Sequence, residues 1–254
     1  MLIPSPSGPL RIPDRVKPCD ITLSLVLPTL NEAENIEAVI AASSSVLEKA
    51  GISYELIVVD DDSPDETWRK AVSCAASLST LRVIRRTGEK GLATAIVRGW
   101  QAARGETLGV MDADLQHPPE ALPKLWAEID GGADLAVASR YAPAGGISDW
   151  SLRRRIVSRV AQGIGLLVLP EIAGRLRDPM SGYLLVRREK LVGVTLKPRG
   201  YKILLEVLGR CDIRSIAEVG YVFRERSQSE SKLTWRIYRD YLLHLGSLRV
   251  RHFQ

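Results

Sequence analysis

The 254-residue chain predicts an α/β fold in which a mostly parallel central sheet is covered by helices on both faces. Three observations carry this reading. Short apolar runs recur at Ser24–Leu27, Leu56–Val59, Leu81–Ile84, Thr107–Met111 and Leu135–Ser139. Stretches with helical spacing separate them. Polar, acid-rich clusters follow three of the runs directly. Apolar runs of this length that do not alternate suit strands buried on both faces, and helices between them suit parallel crossovers.

The elements follow in order. Asn31–Ala50 carries Ile36, Val39, Ile40 and Leu47 on one helical face. Asp60-Asp61-Asp62-Ser63-Pro64 reads as a loop and helix cap, and Glu66–Ser77, Gly91–Ala103 and Pro119–Ile129 read as helices. The second half is less regular. Ser151–Leu169 predicts a helix that is basic at its start, and Tyr183–Val186 predicts a strand. Leu233–Leu248 places Leu233, Tyr238, Tyr241, Leu242, Leu245 and Leu248 on one face, with Arg236, Arg239 and Asp240 elsewhere.

This divides the chain into a flexible leader (1–20), one large domain (21–232) and a C-terminal amphipathic helix (233–254). The leader is rich in Pro and Ser and lacks the apolar centre of a signal peptide. The final helix can lie in a bilayer interface, can pack on the domain, or can be the cut start of a membrane region. No run approaches the roughly 20 apolar residues of a membrane span.

Composition is that of a folded globular chain, 45% hydrophobic and 26% charged. Cys19, Cys74 and Cys211 fit neither a zinc site nor a disulfide framework, so they read as free thiols in a reducing compartment. The net charge of +5 is unevenly placed. Tyr221–Gln254 holds seven basic residues against three acidic ones, and Arg153-Arg154-Arg155 with Arg159 forms a second basic knot. Such patches suit phosphates or an anionic membrane surface. Nucleic acid is disfavoured, because stacking aromatics interleave with the basic residues only in the last helix.

In open α/β sheets, ligands bind beyond the carboxyl ends of the strands. Three clusters sit there: Pro28-Thr29-Leu30-Asn31-Glu32, Asp60-Asp61-Asp62 and Asp112-Ala113-Asp114-Leu115-Gln116. If the chain stays extended after the strand, Asp112 and Asp114 point the same way, and Gln116 adds a neutral oxygen. Hard oxygen ligands suit Mg²⁺ or Mn²⁺. Alone the motif is weak, since chance supplies an Asp-x-Asp in a chain with 14 Asp and a solvated turn would look the same. Its place after a buried strand gives it weight. Arg140, after the Leu135–Ser139 strand, and Arg153, Arg154 and Arg226 are candidates for phosphate. Asp178-Pro179-Met180-Ser181-Gly182 reads as a tight loop. His117 reads as a neighbour of the metal motif. No GxGxxG, Walker A, HExxH or GxSxG pattern occurs.

Taken together the motifs resemble family 2 glycosyltransferases of the GT-A fold, within them the dolichol-phosphate mannose synthase group. The matching segments run from Val26–Glu32 through Ile57–Ser63, Gly91–Ala95, Met111–Glu120, Ala138–Tyr141, Asp178–Tyr183 and Gly200–Glu206 to Ser229–Lys232. The resemblance implies transfer of a sugar, mannose from GDP-mannose, to a polyprenyl or dolichyl phosphate with inversion. It implies that Pro28, Thr29, Asn31, Glu32, Asp60, Asp62, Lys90, Asp112 and Ala113 bind the nucleotide. Asp112, Asp114 and Gln116 would hold the metal. Arg140, Arg153, Arg154, Arg226 and Lys232 would bind phosphates, with Asp114, Arg140 and Arg226 acting in catalysis. It further implies a peripheral position on the cytoplasmic side of a membrane, with a small membrane-anchoring subunit as a candidate partner.

Two departures stand out. The usual Asp-Gly-Thr is Asp65-Glu66-Thr67 here, and the usual Gly before Glu-Ser-Lys is Ser229. UDP-glucose or UDP-GlcNAc is the alternative donor. An inactive domain that binds nucleotide or membrane as a scaffold is the alternative of another class; the intact Asp112, Asp114 and Gln116 argue against it.

Overall fold

The computed structural model describes residues 1–14, 20–147, 163, 167, 169–224, 243 and 245–248. Eight strands form one sheet: β1 (Leu2–Ile3), β2 (Leu23–Thr29), β3 (Tyr54–Asp60), β4 (Leu81–Arg85), β5 (Thr107–Val110), β6 (Leu135–Ser139), β8 (Leu184–Arg187) and β9 (Ile216–Gly220). A short parallel pair, β7 (Gly146–Ile147) with β10 (Val222–Phe223), stands apart. The sheet order is β1-β4-β3-β2-β5-β8-β6-β9, and β8 alone runs antiparallel to its neighbours. The helices are α1 (Ile36–Lys49), α2 (Thr67–Ser77), α3 (Leu92–Ala102), α4 (Leu122–Asp130), a single turn α5 (Pro170–Ala173), and α6 (Ile203–Arg210).

β2 and β3 are buried on every residue. Their side chains alternate between two cores. Leu25, Leu27, Leu56 and Val58 meet Ile36, Val39, Ile40 and Leu47 of α1 and Leu122 and Leu125 of α4. Val26, Ile57 and Val59 meet Ala95, Ile96 and Trp100 of α3 and the apolar residues of α6. Trp100 is fully buried, and its Nε1 donates to Gly109 O at 3.0 Å. A Cβ on Gly99 would stand 2.6 Å from Val26 Cγ2, so a glycine is what lets α3 lie this close to β2. Pro28 comes after β5 has stopped pairing with β2, where a strand residue without an N–H is tolerated.

The leader is not loose over its described part. Leu2 and Ile3 add β1 to the sheet edge beside β4, and the Met1 amine donates to Leu81 O at 3.0 Å. The segment then crosses α3. Arg98 donates to Gly8 O at 3.1 Å, and Gln101 donates to Pro9 O at 2.8 Å and Arg11 O at 3.0 Å. Ile12 ends in the core at 1% exposure. Thus residues 1–12 pair with the sheet edge and pack across α3. The packing uses main-chain groups and three scattered apolar side chains, Ile3, Leu10 and Ile12, so Pro- and Ser-rich composition concealed it.

Most of the expected helices at Ser151–Leu169 and Leu233–Leu248 lies outside the described residues. Within the second, Leu245 and Leu248 are buried in the α6-side core, and Leu243 is half exposed. Among the described residues no helix is long and apolar enough to cross a membrane.

Candidate active site

The carboxyl ends of β2, β3 and β5 lie side by side, since β2 pairs with both neighbours. The three polar clusters therefore meet at one edge. Asp60 ends β3, fully buried. It accepts from Thr29 Oγ1 at 2.9 Å, from Ser63 N at 2.8 Å and from Ser63 Oγ at 2.7 Å. Asn31 N donates to Ser63 Oγ at 3.0 Å, and Glu32 N to Thr67 Oγ1 at 3.0 Å. The first two clusters are thus one hydrogen-bonded unit. Within it Asn31 is exposed and Glu32 buried, with Glu32 accepting from Asn35 Nδ2 at 2.9 Å.

Asp62 faces outward and takes Arg85 Nε at 2.6 Å, and the Arg85 guanidinium lies 4.2 Å above the Trp68 ring. Asp61 turns inward instead. It accepts from Arg86 Nε and from Gly91 N, each at 2.6 Å. Arg86, itself buried, also donates to Gly91 O at 2.9 Å and Thr94 Oγ1 at 3.0 Å. This clamp ties the loop bearing exposed Lys90 to the end of β3. Burial pushes the Asp61 carboxyl up despite Gly91 N and Arg86. No role for Asp61 or Arg86 is legible from sequence; three adjacent aspartates do not reveal which one turns inward.

Asn31, Asp62, Glu66 and Leu115, at φ 57°, 56°, 61° and 60°, all occupy the left-handed region. Four such non-glycine residues beside one site mark stored backbone strain. Leu115 corrects the expectation of an extended 112–116 segment. The chain bends at Ala113–Leu115, and Gln116 N donates to Asp114 Oδ1 at 3.1 Å. Gln116 is placed by this turn and not by strand periodicity; its Nε2 donates to Arg224 O at 3.0 Å. The amide oxygen is the end that suits a cation.

His117 is buried behind the motif. Its ring packs on Tyr183, Tyr221 and Phe223 at centroid distances of 5.5, 5.7 and 5.2 Å. Among the described residues its Nδ1 has no hydrogen-bond partner, and it lies 3.8 Å from Asp112 Oδ2 and 3.9 Å from Asp114 Oδ1. Burial pushes its pKa down to about 4, against the pull of Asp114. An orphaned buried nitrogen facing two carboxylates fits a site built around a cation. Among the described residues no three His, Cys, Asp or Glu side chains converge tightly enough to cage one. Asp112, Asp114 and Gln116 would therefore hold a metal together with oxygens from outside the chain.

Arg140 follows β6, and the structure places its guanidinium against Asp178. Nε and Nη2 each donate at 2.7 Å, to separate carboxylate oxygens. Burial opposes the arginine's charge, but the Asp178 pairing outweighs it and holds the group firmly protonated. Asp178 begins the expected tight loop, which Ser181 N closes onto Asp178 O at 3.2 Å. Gly182 faces the metal motif, since a Cβ there would stand 3.4 Å from Asp112 Oδ2. Lys202 belongs to the same wall: its Nζ donates to Met180 O at 2.7 Å. Burial, then Arg140, lowers its pKa to about 7. Arg153, Arg154, Arg226, Lys232 and Ser229 lie outside the described residues.

The mostly parallel sheet, with Asp60, Asp112 and Asp114 at one edge, matches the GT-A glycosyltransferase fold of solved structures. The sequence model described as Glycosyl transferase family 2 matches residues 24–193. The dolichol-phosphate mannosyltransferase of Pyrococcus furiosus is 43% identical over 226 residues, 89% of this chain, and this chain spans only 63% of that relative's length. The Saccharomyces cerevisiae enzyme of the same name is 34% identical, covering 92% of this chain and 89% of its own. The polyprenol monophosphomannose synthase of Mycolicibacterium smegmatis is 33% identical over 94% of this chain and 91% of its own. Among solved structures, glucosyl-3-phosphoglycerate synthase from Mycobacterium tuberculosis, in complex with Mn²⁺, UDP and phosphoglyceric acid, superposes with a TM-score of 0.70 at 25% identity, over 90% of this chain and 78% of that one. The chain belongs to glycosyl transferase family 2.

Proposed function

We propose that this chain transfers mannose from GDP-mannose to a polyprenyl phosphate, with inversion at the anomeric carbon and with a divalent cation held by Asp112, Asp114 and Gln116. Relatives named dolichol-phosphate mannosyltransferase and polyprenol monophosphomannose synthase, at 33–43% identity, support the reading, together with acids at the ends of the three adjacent strands. The Mn²⁺ and UDP of the solved relative support a cation beside a nucleoside diphosphate.

The chemistry asks for positioning more than for proton transfer. The acceptor phosphate is already ionised near neutral pH. Its oxygen attacks the anomeric carbon opposite the diphosphate, the bond from that carbon to the diphosphate oxygen breaks, and GDP departs with the bonding pair. A bound divalent cation would neutralise the charge that builds on this leaving group. The strand-end unit of Thr29, Asn31, Glu32 and Asp60 holds the nucleoside side rigid. The Arg140–Asp178 pair supplies a fixed guanidinium beside the reacting phosphates. Arg153, Arg154, Arg226 and Lys232 extend the phosphate-binding surface. The acceptor's lipid calls for docking at a membrane surface, with an anchoring subunit as a candidate partner.

The test is a donor panel. Purified protein, undecaprenyl phosphate and Mn²⁺ or Mg²⁺ are incubated with labelled GDP-mannose, UDP-glucose or UDP-GlcNAc. Label in the lipid fraction from GDP-mannose alone supports the reading; label only from a UDP-sugar replaces the donor; no label from any donor rejects the transfer.

A further inference from the structure

Lys202 is a cation in an unusual place. Among the described residues its ammonium donates one hydrogen bond, to Met180 O at 2.7 Å, and lies 4.3 Å from the centroid of the Tyr201 ring. No carboxylate of the described residues forms an ion pair with it. Burial, then the positive charge of Arg140, lowers the lysine's pKa, against the pull of Asp178 and Asp112. Asp178 answers the charge of Arg140, so the lysine's own charge is the one left without an ion pair among the described residues, a costly placement unless an anion joins it.

Helix stability does not explain the residue. Lys202 is the N-cap of α6, and it makes no side-chain cap. Ser, Thr, Asp or Asn serves that position, and a positive charge there opposes the helix dipole. The lysine also faces the site: it grips Met180, two residues before Gly182, whose missing side chain leaves room against Asp112 Oδ2.

We infer that Lys202 is a phosphate-binding residue of the active site, its ammonium completing with Arg140 a cationic wall opposite the acids at 112 and 114. The ligand is a phosphate brought by substrate, either the donor diphosphate or the acceptor monophosphate. This rests on the proposed transfer reaction. Lysine binds such oxygens as a compact point charge with several donors, and two N–H groups remain beyond the one given to Met180.

The test compares wild type with Lys202→Met and Lys202→Arg. Three readouts are taken in Mn²⁺: calorimetric binding of GDP, calorimetric binding of pyrophosphate, and KM and kcat for undecaprenyl phosphate. A lost charge-assisted hydrogen bond is worth about tenfold or more in affinity. If the donor diphosphate is the ligand, Lys202→Met weakens GDP and pyrophosphate together by that factor. If the acceptor phosphate is the ligand, both stay unchanged and the acceptor KM rises. Lys202→Arg restores part of either loss. Unchanged values on all three readouts overturn the assignment, as does a fall in kcat and melting temperature with both affinities and the KM intact, which would make Lys202 a support for the Met180 loop alone. If Lys202→Met does not fold, Lys202→Gln takes its place with the same outcomes. A wild type that binds pyrophosphate through Lys202 but makes no lipid-linked mannose rejects the transfer reaction and leaves this assignment standing.

Discussion

Arg140 and Asp178 form a two-point pair, Nε to Oδ2 and Nη2 to Oδ1, both at 2.7 Å, with Asp178 fully buried and the arginine side chain 9% exposed. The backbone N–H of Arg140 donates to the same carboxylate at 3.1 Å. Asp178 therefore fixes the turn after β6 as well as the direction of the guanidinium. Removing one partner of such a buried pair costs about 3–5 kcal/mol, whereas replacing both with apolar groups costs far less. Asp178→Ala should lower unfolding free energy in urea by about that amount, and the double change Arg140→Met with Asp178→Leu should recover much of it. Equal losses in the single and double variants would contradict the pairing argument.

His117 faces Asp112 and Asp114 from beneath, with a nitrogen that meets no hydrogen-bond partner among the described residues. His117→Phe keeps a ring among Tyr183, Tyr221 and Phe223 but deletes that nitrogen. Groups that support metal ligands are worth about 10–100-fold in metal affinity. Mn²⁺ affinity in the presence of GDP, measured by calorimetry, should fall by that factor while the far-ultraviolet dichroism stays that of wild type. An unchanged Mn²⁺ affinity would leave His117 a packing residue.

Glu66 has a left-handed φ of 61°. A residue with a Cβ pays about 1 kcal/mol for that conformation. Glu66's ion pair with Arg69 does little to offset this, since both side chains are largely exposed. Glu66→Gly should leave stability unchanged or raise it by up to about 1 kcal/mol. A drop in melting temperature would show that Glu66 does more than tolerate the turn.

Gly220 closes β9 against the loop after β6. A Cβ on it would fall on Pro143 O and crowd Gly145 N, and neither main-chain group can move without opening the loop. Gly220→Ala should fold poorly and melt well below wild type in a thermal scan; a melting temperature within the error of wild type would contradict this packing.

Much of this was legible in the sequence, and the reasons are physical. Buried parallel strands leave uninterrupted apolar runs, so β2 to β6 stood out within a residue or two of their observed ends. β9, with most residues only partly buried, and the two-residue strands β1, β7 and β10 left no such run. α6 was hidden because its helical run, Ile203–Arg210, is short and mostly apolar and carries no cap signal. At the site, residue types at strand ends pointed to Asp112 and Asp114. Three-dimensional pairings did not show in the sequence: Arg140 with Asp178, Asp61 with Arg86, and the Lys202 ammonium with Met180 join segments far apart in the chain. The turn at Leu115 was missed because strand periodicity was extended past the last strand residue, Val110.

The central claim is that Asp112 and Asp114 hold the cation on which sugar transfer depends. It is tested most directly by mass spectrometry of the lipid fraction after wild type and Asp114→Ala are each incubated with GDP-mannose, undecaprenyl phosphate and Mn²⁺. Wild type should yield mannosyl-phosphoryl-undecaprenol, chelation with EDTA should abolish it, and Asp114→Ala, folded as judged by its melting curve, should yield little or none. Product from Asp114→Ala at the wild-type level would contradict the account.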